Sequence, residues 1–362
     1  MVYNHVARRV SCIVQKRLDT LKIGQKMQDL PENLWHDSFK YYVKEDKSRK
    51  GGPNMRLIRL DPNKPSLTVT GFIFNKFEHP YENRYITVRE AARLQGFPDD
   101  LEFKGTLTST QQQVGNAVPV QLAKNIFNQI CLFENSRSKK TLTAFSLFCG
   151  AGGMDIGAYQ AKYDETVIHT KLAIDCWRDA CNTLDGYLGD KTKILVQDIC
   201  EISNPLEYWK KNTGLADKPD LIYGGPPCQA FSQAGKQKSI EDPRGRLIFQ
   251  FLRFIEEINP KYFVMENVSN IKSVNKGRLY KSILNKMDAL GYNVSEKILC
   301  AADYGAPQKR KRAIFIGTDR RIGKIDIPRP THSEAPTLFG TLPYVDVAEA
   351  FEGLPYLGAV RK

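Results

Sequence analysis

The 362-residue chain carries 53 Lys and Arg against 40 Asp and Glu, a formal net charge of +13, with 41% hydrophobic and 26% charged residues. Such a composition belongs to a soluble globular protein with one large core plus a smaller lobe, or two domains. No apolar run approaches the ~20 residues that span a bilayer, which argues against a membrane partner. The opening Met1–Arg9 has no apolar signal core, so a cytoplasmic, nucleoid-associated protein is expected. Eight cysteines without a Cys-x-x-Cys pair argue against a metal site or a disulfide framework and for reduced thiols.

Taken along the chain, residues 1–60 and 325–362 read as irregular and rich in Pro, Gly and basic residues, which suits a small loop-rich lobe. Arg8, Arg9, Lys16, Arg17, Lys22 and Lys26, then Lys44, Lys47, Arg49, Lys50, Arg56 and Arg59, give the first sixty residues a basic excess. Solubility is the ordinary reason for such charge, but its clustering favours nucleic acid as partner. Pro119 at a first helical position and the spacing of Val120, Leu122, Ile126, Ile130 and Leu132 predict a helix over 119–133. Asn135–Lys140 is polar and aperiodic, a linker. From 143 to 317 short apolar runs alternate with amphipathic stretches, the signature of a parallel sheet with crossover helices. Strands are predicted over 144–148, 170–174, 194–196, 221–223, 262–265 and 313–316, and helices over 154–161, 177–184, 247–258 and 277–290.

The motifs fall at the ends of these strands, where open α/β sheets place ligands. Phe148-Cys-Gly-Ala-Gly-Gly153 is a strand-to-helix turn whose glycines admit close backbone approach. Asp175 ends the second strand, where a carboxylate can accept from ribose hydroxyls, and Asp198 follows the third, placed to accept from an adenine amine. The Gly-x-Gly-Gly spacing is not that of a dinucleotide site, so a nucleoside cofactor without pyrophosphate, S-adenosylmethionine, fits better. Cys228 follows Gly224-Gly-Pro-Pro227, where two prolines stiffen the backbone behind the thiol. A buried small cysteine is the ordinary alternative, but rigid prolines before it and polar Gln229 and Ser232 after it favour a nucleophile. Glu266 closes the next strand and should share the edge with Cys228; alone it could be a helix cap or half of an ion pair. The run Gln308-Lys-Arg-Lys-Arg312 leads into apolar Ala313–Ile316, so at least one arginine should point inward.

Together these blocks resemble the DNA cytosine-5 methyltransferases. The resemblance is carried by Phe148–Gly153, Gly224–Ser232, Asp242-Pro-Arg244-Gly-Arg-Leu247, Glu266-Asn-Val268 and Gln308–Arg312. It extends to Arg59-Leu-Asp61 with Lys64-Pro-Ser-Leu-Thr68, Thr87-Val-Arg-Glu-Ala91 and Gln113-Val-Gly115-Asn116-Ala-Val-Pro119, and covers most of residues 56–320. Blocks that usually come last come first here, so the motif order is circularly permuted, and the linker would join a helix that packs beside the first strand. The implied fold is α/β, a Rossmann-like doubly wound sheet of the S-adenosylmethionine-dependent methyltransferase type with a small target-recognition domain. The implied segments are 1–83, first part of the recognition lobe; 84–134, hinge and final-type helix of the catalytic domain; 135–142, permutation linker; 143–324, cofactor-binding catalytic domain; and 325–362, lead-in to the recognition lobe.

The resemblance implies Cys228, Glu266, Arg310 and Arg312 as catalytic. It implies Phe148, Gly150, Ala151, Gly153, Asp175, Cys176, Asp198, Ile199, Pro227, Leu247, Asn116 and Ala117 around the cofactor, and Gln229, Ser232, Lys236, Gln237 and Arg244 against DNA. Two departures bear on the cofactor: Ser146 stands where an acid is common, and Cys176 where a bulkier residue often covers the adenine. The implied substrate is double-stranded DNA, acted on by a monomer, with a cognate restriction endonuclease as a possible companion. A tRNA cytosine-5 methyltransferase and a catalytically silent DNA-binding regulator stay open as alternatives. A nicotinamide-dependent oxidoreductase is disfavoured by the glycine spacing.

Overall fold

Strands that are apolar on both faces must be covered on both sides, and this chain has helices to do so. The computed structural model describes residues 2–45, 57–71, 76–137, 139–227, 246–336 and 340–357. Up to residue 135 the elements are α1 (Cys12–Thr20), α2 (Asp37–Lys44), β1 (Ile58–Arg59), β2 (Ser66–Leu67), β3 (Phe77–Glu78), α3 (Val88–Leu94), α4 (Leu107–Asn116) and α5 (Val120–Asn135). Next come β4 (Thr141–Leu147), α6 (Gly153–Gln160), β5 (Lys162–Tyr163), β6 (Thr166–Asp175), α7 (Arg178–Leu188), β7 (Lys193–Val196), α8 (Pro205–Thr213) and β8 (Leu221–Gly224). The remainder is α9 (Arg246–Ile258), β9 (Tyr262–Val268), α10 (Arg278–Ala289), β10 (Tyr292–Cys300), β11 (Gln308–Lys309), β12 (Lys311–Asp319), β13 (His332–Ser333), β14 (Leu342–Pro343) and α11 (Val347–Phe351).

The main sheet has the order β10-β12-β9-β8-β4-β6-β5, with β7 also paired to β6. β4, β6, β7, β8 and β9 are parallel, so their carboxyl ends share one edge. Consecutive residues alternate between two cores. Ala144, Tyr223 and Val264 face α5 and α6, whereas Phe145, Ile222 and Met265 face α8, α9 and α10. This is the doubly wound arrangement that the sequence implies.

The purely parallel expectation needs correcting. β12 runs antiparallel to both β9 and β10, and β5 antiparallel to β6. The link from β10 to β12 is too short for a crossover helix, so the pair can only be antiparallel. No strand was expected over 292–300, because β10 is an edge strand with only intermittent burial and lacks the continuous apolar run of its neighbours. α8 was missed as well; Pro205 and Trp209 are its buried residues, too few for a periodic signal.

Residues 2–45, whose composition suggests irregular structure, carry two helices. α1 buries only Leu18 and α2 only Phe39, which hides both helices from a periodicity argument. Leu18, Leu21 and Phe39 share one core with Val347 and Phe351, and that core continues through Leu94 and Val114 to Ala173 and Leu184 beside the main sheet. Buried Arg84 pairs with Glu82 and Glu90 there, which balances the charge of the neighbouring His79, Glu82 and Glu90 cluster. Among the described residues no helix is long and apolar enough to cross a membrane.

Between α5 and β4 the chain turns at the amino edge of the sheet, where Asp220 gathers its partners. Lys139 Nζ donates to both carboxylate oxygens at 2.8 and 2.6 Å, and the Thr143 amide and hydroxyl donate to Oδ2 at 2.9 and 3.0 Å. Tyr262 donates to the buried Glu134 carboxylate at the end of α5, with Lys261 3.4 Å away. Replacing Asp220 by Ala leaves the Thr143 amide without its acceptor. The expected cost is about 2–3 kcal/mol, read as a lower midpoint in urea denaturation; an unchanged midpoint would mean the cluster does not hold the joint.

Candidate active site

The carboxyl edge collects one loop from each parallel strand. After β4 the chain enters the turn 148–153 with Phe148 at φ 56°, Gly150 at 53° and Gly152 at 88°, a run of left-handed backbone that draws the turn tight. Gly153 must be glycine, because a Cβ there would lie 2.2 Å from the Val118 carbonyl oxygen. That contact also brings Asn116 and Ala117, at the end of α4, beside the turn. Space is open beyond Gly150, where an added Cβ meets nothing within 4 Å.

Asp175, at the end of β6, accepts from the Gly150 amide at 2.9 Å and, through its other oxygen, from the Trp177 amide at 2.8 Å. Burial raises its carboxyl above the usual carboxylate range, against these hydrogen bonds. Cys176 beside it is exposed. Asp198 follows β7 and caps the turn at Ile199, accepting from the Cys200 amide at 2.8 Å, while Ile199 is buried. Phe148, Gly150, Asp175, Cys176, Asp198 and Ile199 thus lie at strand ends of one edge, with Ala151 buried within the turn.

The loop after β8 is described as far as Pro227, and the chain resumes at Arg246, with Leu247 half-buried in the first turn of α9. Cys228, Gln229, Ser232, Lys236, Gln237 and Arg244 lie outside the described residues. The loop's start is fixed by Asn267, whose Nδ2 donates to the Pro226 carbonyl at 3.0 Å. Glu266 Oε2 lies 3.0 Å from where a Cβ on Gly225 would stand, so the carboxylate abuts the backbone that leads to Cys228. Its other oxygen lies 2.6 Å from Arg312 Nε in an ion pair, with both side chains about nine-tenths buried.

This pair follows from register. Glu266 is opposite Ile314 and Arg312 opposite Val268, which makes Glu266 and Arg312 diagonal neighbours on one face of the antiparallel pair. Arg310 is the inward-pointing arginine, 1% exposed. Its Nη1 donates to the Val69 carbonyl at 2.6 Å and its Nη2 to the Gly115 carbonyl at 2.9 Å. Burial and the nearby Arg312 charge lower its pKa, opposed by Glu266. Arg310 thus meets main-chain oxygens while Arg312 meets the carboxylate. Gln308 joins the same hub, donating to the Leu94 carbonyl at 2.7 Å and to Gln95 at 2.5 Å, and accepting from the Val69 amide at 3.2 Å.

One buried acid near the turn was missed. Asp155 is 1% exposed, and Tyr223 donates to its Oδ1 at 3.0 Å. Burial raises the Asp155 carboxyl to about 6, an effect opposed by the nearby Ser146 and Tyr223 hydroxyls. Ser146 Oγ and Asp155 Oδ2 nonetheless meet no partner at hydrogen-bonding geometry. The signal for Asp155 was a lone carboxylate within otherwise apolar Gly153–Ala158.

The family described as C-5 cytosine-specific DNA methylase matches residues 10–132 and 142–342. The Type II methyltransferase M.AquIA of Picosynechococcus sp. is 39% identical over 235 residues, 58% of this chain and 88% of that protein. M1.ScrFI of Lactococcus lactis subsp. cremoris, also a Type II methyltransferase, is 35% identical over 246 residues, 66% of this chain and 58% of that protein. M1.HphI of Haemophilus parahaemolyticus, likewise named, is 36% identical over 223 residues, 60% of this chain and 54% of that protein. The chain thus spans little more than half of the latter two relatives.

Arg310 depends on Gly115 for one of its acceptors, and a Cβ at Gly115 would lie 2.1 Å from the Gly71 amide nitrogen and 2.3 Å from the Thr70 carbonyl carbon. Backbone cannot yield as a side-chain tip can. Gly115→Ala is expected to destabilise the fold by about 1–3 kcal/mol and to lower activity with it; wild-type behaviour in both denaturation and turnover would show that the contact is not rigid.

Proposed function

The chain belongs to the C-5 cytosine-specific DNA methylase family, and from that we propose that it methylates C5 of cytosine in double-stranded DNA, with S-adenosylmethionine as donor. The observation that carries the reading is Glu266 held against Arg312 at 2.6 Å, beside the Gly225–Pro227 segment that leads to Cys228.

Fit to the donor is supported by the chemistry of the edge. The left-handed turn with open space at Gly150 can admit a ligand close to backbone, and Asp175 and Asp198 offer acceptors for ribose and adenine. Phe148, Gly150, Ala151, Gly153, Asn116, Ala117, Cys176, Ile199, Pro227 and Leu247 would complete its surroundings. When bound, the donor supplies an electrophilic methyl group on a sulfonium centre.

C5 of cytosine is a weak nucleophile, and the protein must activate it. The Cys228 thiolate adds to C6, forming a C–S bond and pushing an electron pair toward N3. Glu266 gives a proton to N3 and accepts from the 4-amino group, and Arg312 binds O2, so developing charge meets fixed partners. Arg310 acts behind them, holding the start of β12 on the Val69 and Gly115 carbonyls. After methylation a base removes the C5 proton, and the electrons expel the thiolate. A stacked cytosine cannot reach these groups, so the base is flipped out, with Gln229, Ser232, Lys236, Gln237 and Arg244 against the DNA.

The basic charge suits phosphate contacts, and the lobe built from both chain ends is the reading surface for base edges. We extend this reading to a monomer acting in the cytoplasm on nucleoid DNA, and the Type II names of the relatives favour a restriction-modification pair with a cognate endonuclease.

Labelled methyl transfer from S-adenosylmethionine to duplex DNA and to tRNA tests the reading. The expected result is label in duplex DNA at C5, abolished by Cys228→Ala and reduced on the order of a hundred-fold or more by Glu266→Gln. Label in tRNA alone, or full activity of Cys228→Ala, would falsify it.

A further inference from the structure

We infer that Asp155 and Tyr223 are positioning residues for the methyl donor, their buried hydrogen bond setting where the turn 148–153 stands against the strand that feeds Gly225–Pro227. The inference rests on the reading of that turn as the donor site.

α6 starts at Gly153, directly after the turn, and its N-cap Gly152 offers no side-chain cap. An uncapped helix start needs anchoring from elsewhere. Asp155 provides it from the first turn of α6. Its Oδ1 accepts from the Tyr223 hydroxyl at 3.0 Å, and that hydroxyl lies 2.7 Å from Thr170 Oγ1. Tyr223 belongs to β8, opposite Ser146 on β4 and Val264 on β9. Thr170 belongs to β6, which ends at Asp175. The elements that begin or end in donor-side and cytosine-side residues therefore meet in one polar cluster under the turn.

Stability alone does not account for this cluster. A fully buried carboxylate with Oδ2 unpartnered, beside an unpartnered Ser146 hydroxyl, is a worse core than packed hydrocarbon. What the cluster adds is direction, because hydrogen bonds fix geometry where apolar contacts allow sliding. The back of α6 is already fixed: a Cβ at Gly157 would lie 2.5 Å from Ala123 Cβ on α5. Contact with α5 behind and the Asp155–Tyr223 bond below leave the turn one place to stand.

The test uses the full chain. S-adenosylmethionine binding is measured by calorimetry, and methylation kinetics are followed, for wild type, Tyr223→Phe, Asp155→Asn and the double variant, with folding checked by thermal unfolding. Tyr223→Phe is expected to weaken donor binding about ten-fold and to raise KM for the donor in step, with kcat at saturating donor within about two-fold. Asp155→Asn, which keeps an oxygen acceptor for Tyr223, should lose less. The double variant should lose no more than Tyr223→Phe. Donor affinity and KM unchanged in folded Tyr223→Phe would overturn the inference, as would a fall in kcat alone. Failure of wild type to bind S-adenosylmethionine would instead sink the donor-site reading, so the two failures are distinct.

Discussion

The contact between Glu266 and Arg312 depends on one strand running against its neighbours. Because β12 is antiparallel to β9, its amino end reaches the edge where the parallel strands end. Were β12 parallel, Asp319 would stand there and Arg312 would sit at the opposite edge, about 20 Å away at the usual strand rise. The short β10–β12 connection thus decides which residues can meet the carboxylate. Sheet topology here is a statement about chemistry as much as about packing.

The same connection reaches outside the sheet. β11 pairs with β2, and Gln308 and Arg310 fasten it to the Val69 and Gly115 backbone, so segments from the first third of the chain brace the arginine-bearing strand. On the other side of the edge, the close approach of Gly153 to Val118 presses the turn against the start of α5. The arginine-bearing strand and the glycine turn lean on the same few residues, 115 to 118.

The sequence reveals what is local. Apolar runs mark β8 and β9 because both faces of these strands are buried, and the turn at 148–153 is legible because its glycines follow such a run. An inward-pointing arginine could be expected because charge leads straight into Ala313–Ile316, and Arg310 is the one that is buried. What stayed hidden is partnership across sequence distance. The carbonyls that receive Arg310 belong to residues 69 and 115, and the hydroxyl that meets Asp155 belongs to residue 223. Edge strand β10 and helix α1 stayed hidden for another reason: partial burial dilutes the periodic signal on which such expectations rest.

The joint between α5 and β4 has a consequence for biosynthesis. α5 buries Leu122, Ile126, Phe127 and Ile130 against strands that all lie downstream of it in the chain. A ribosome releases this greasy helix before any part of its docking platform exists. Its partners β4, β8 and β9 emerge over the following 130 or so residues, at roughly 5–20 residues per second. During that interval the nascent chain exposes a sticky surface, and shielding by a chaperone or by the early lobe core becomes part of the cost of placing this helix first.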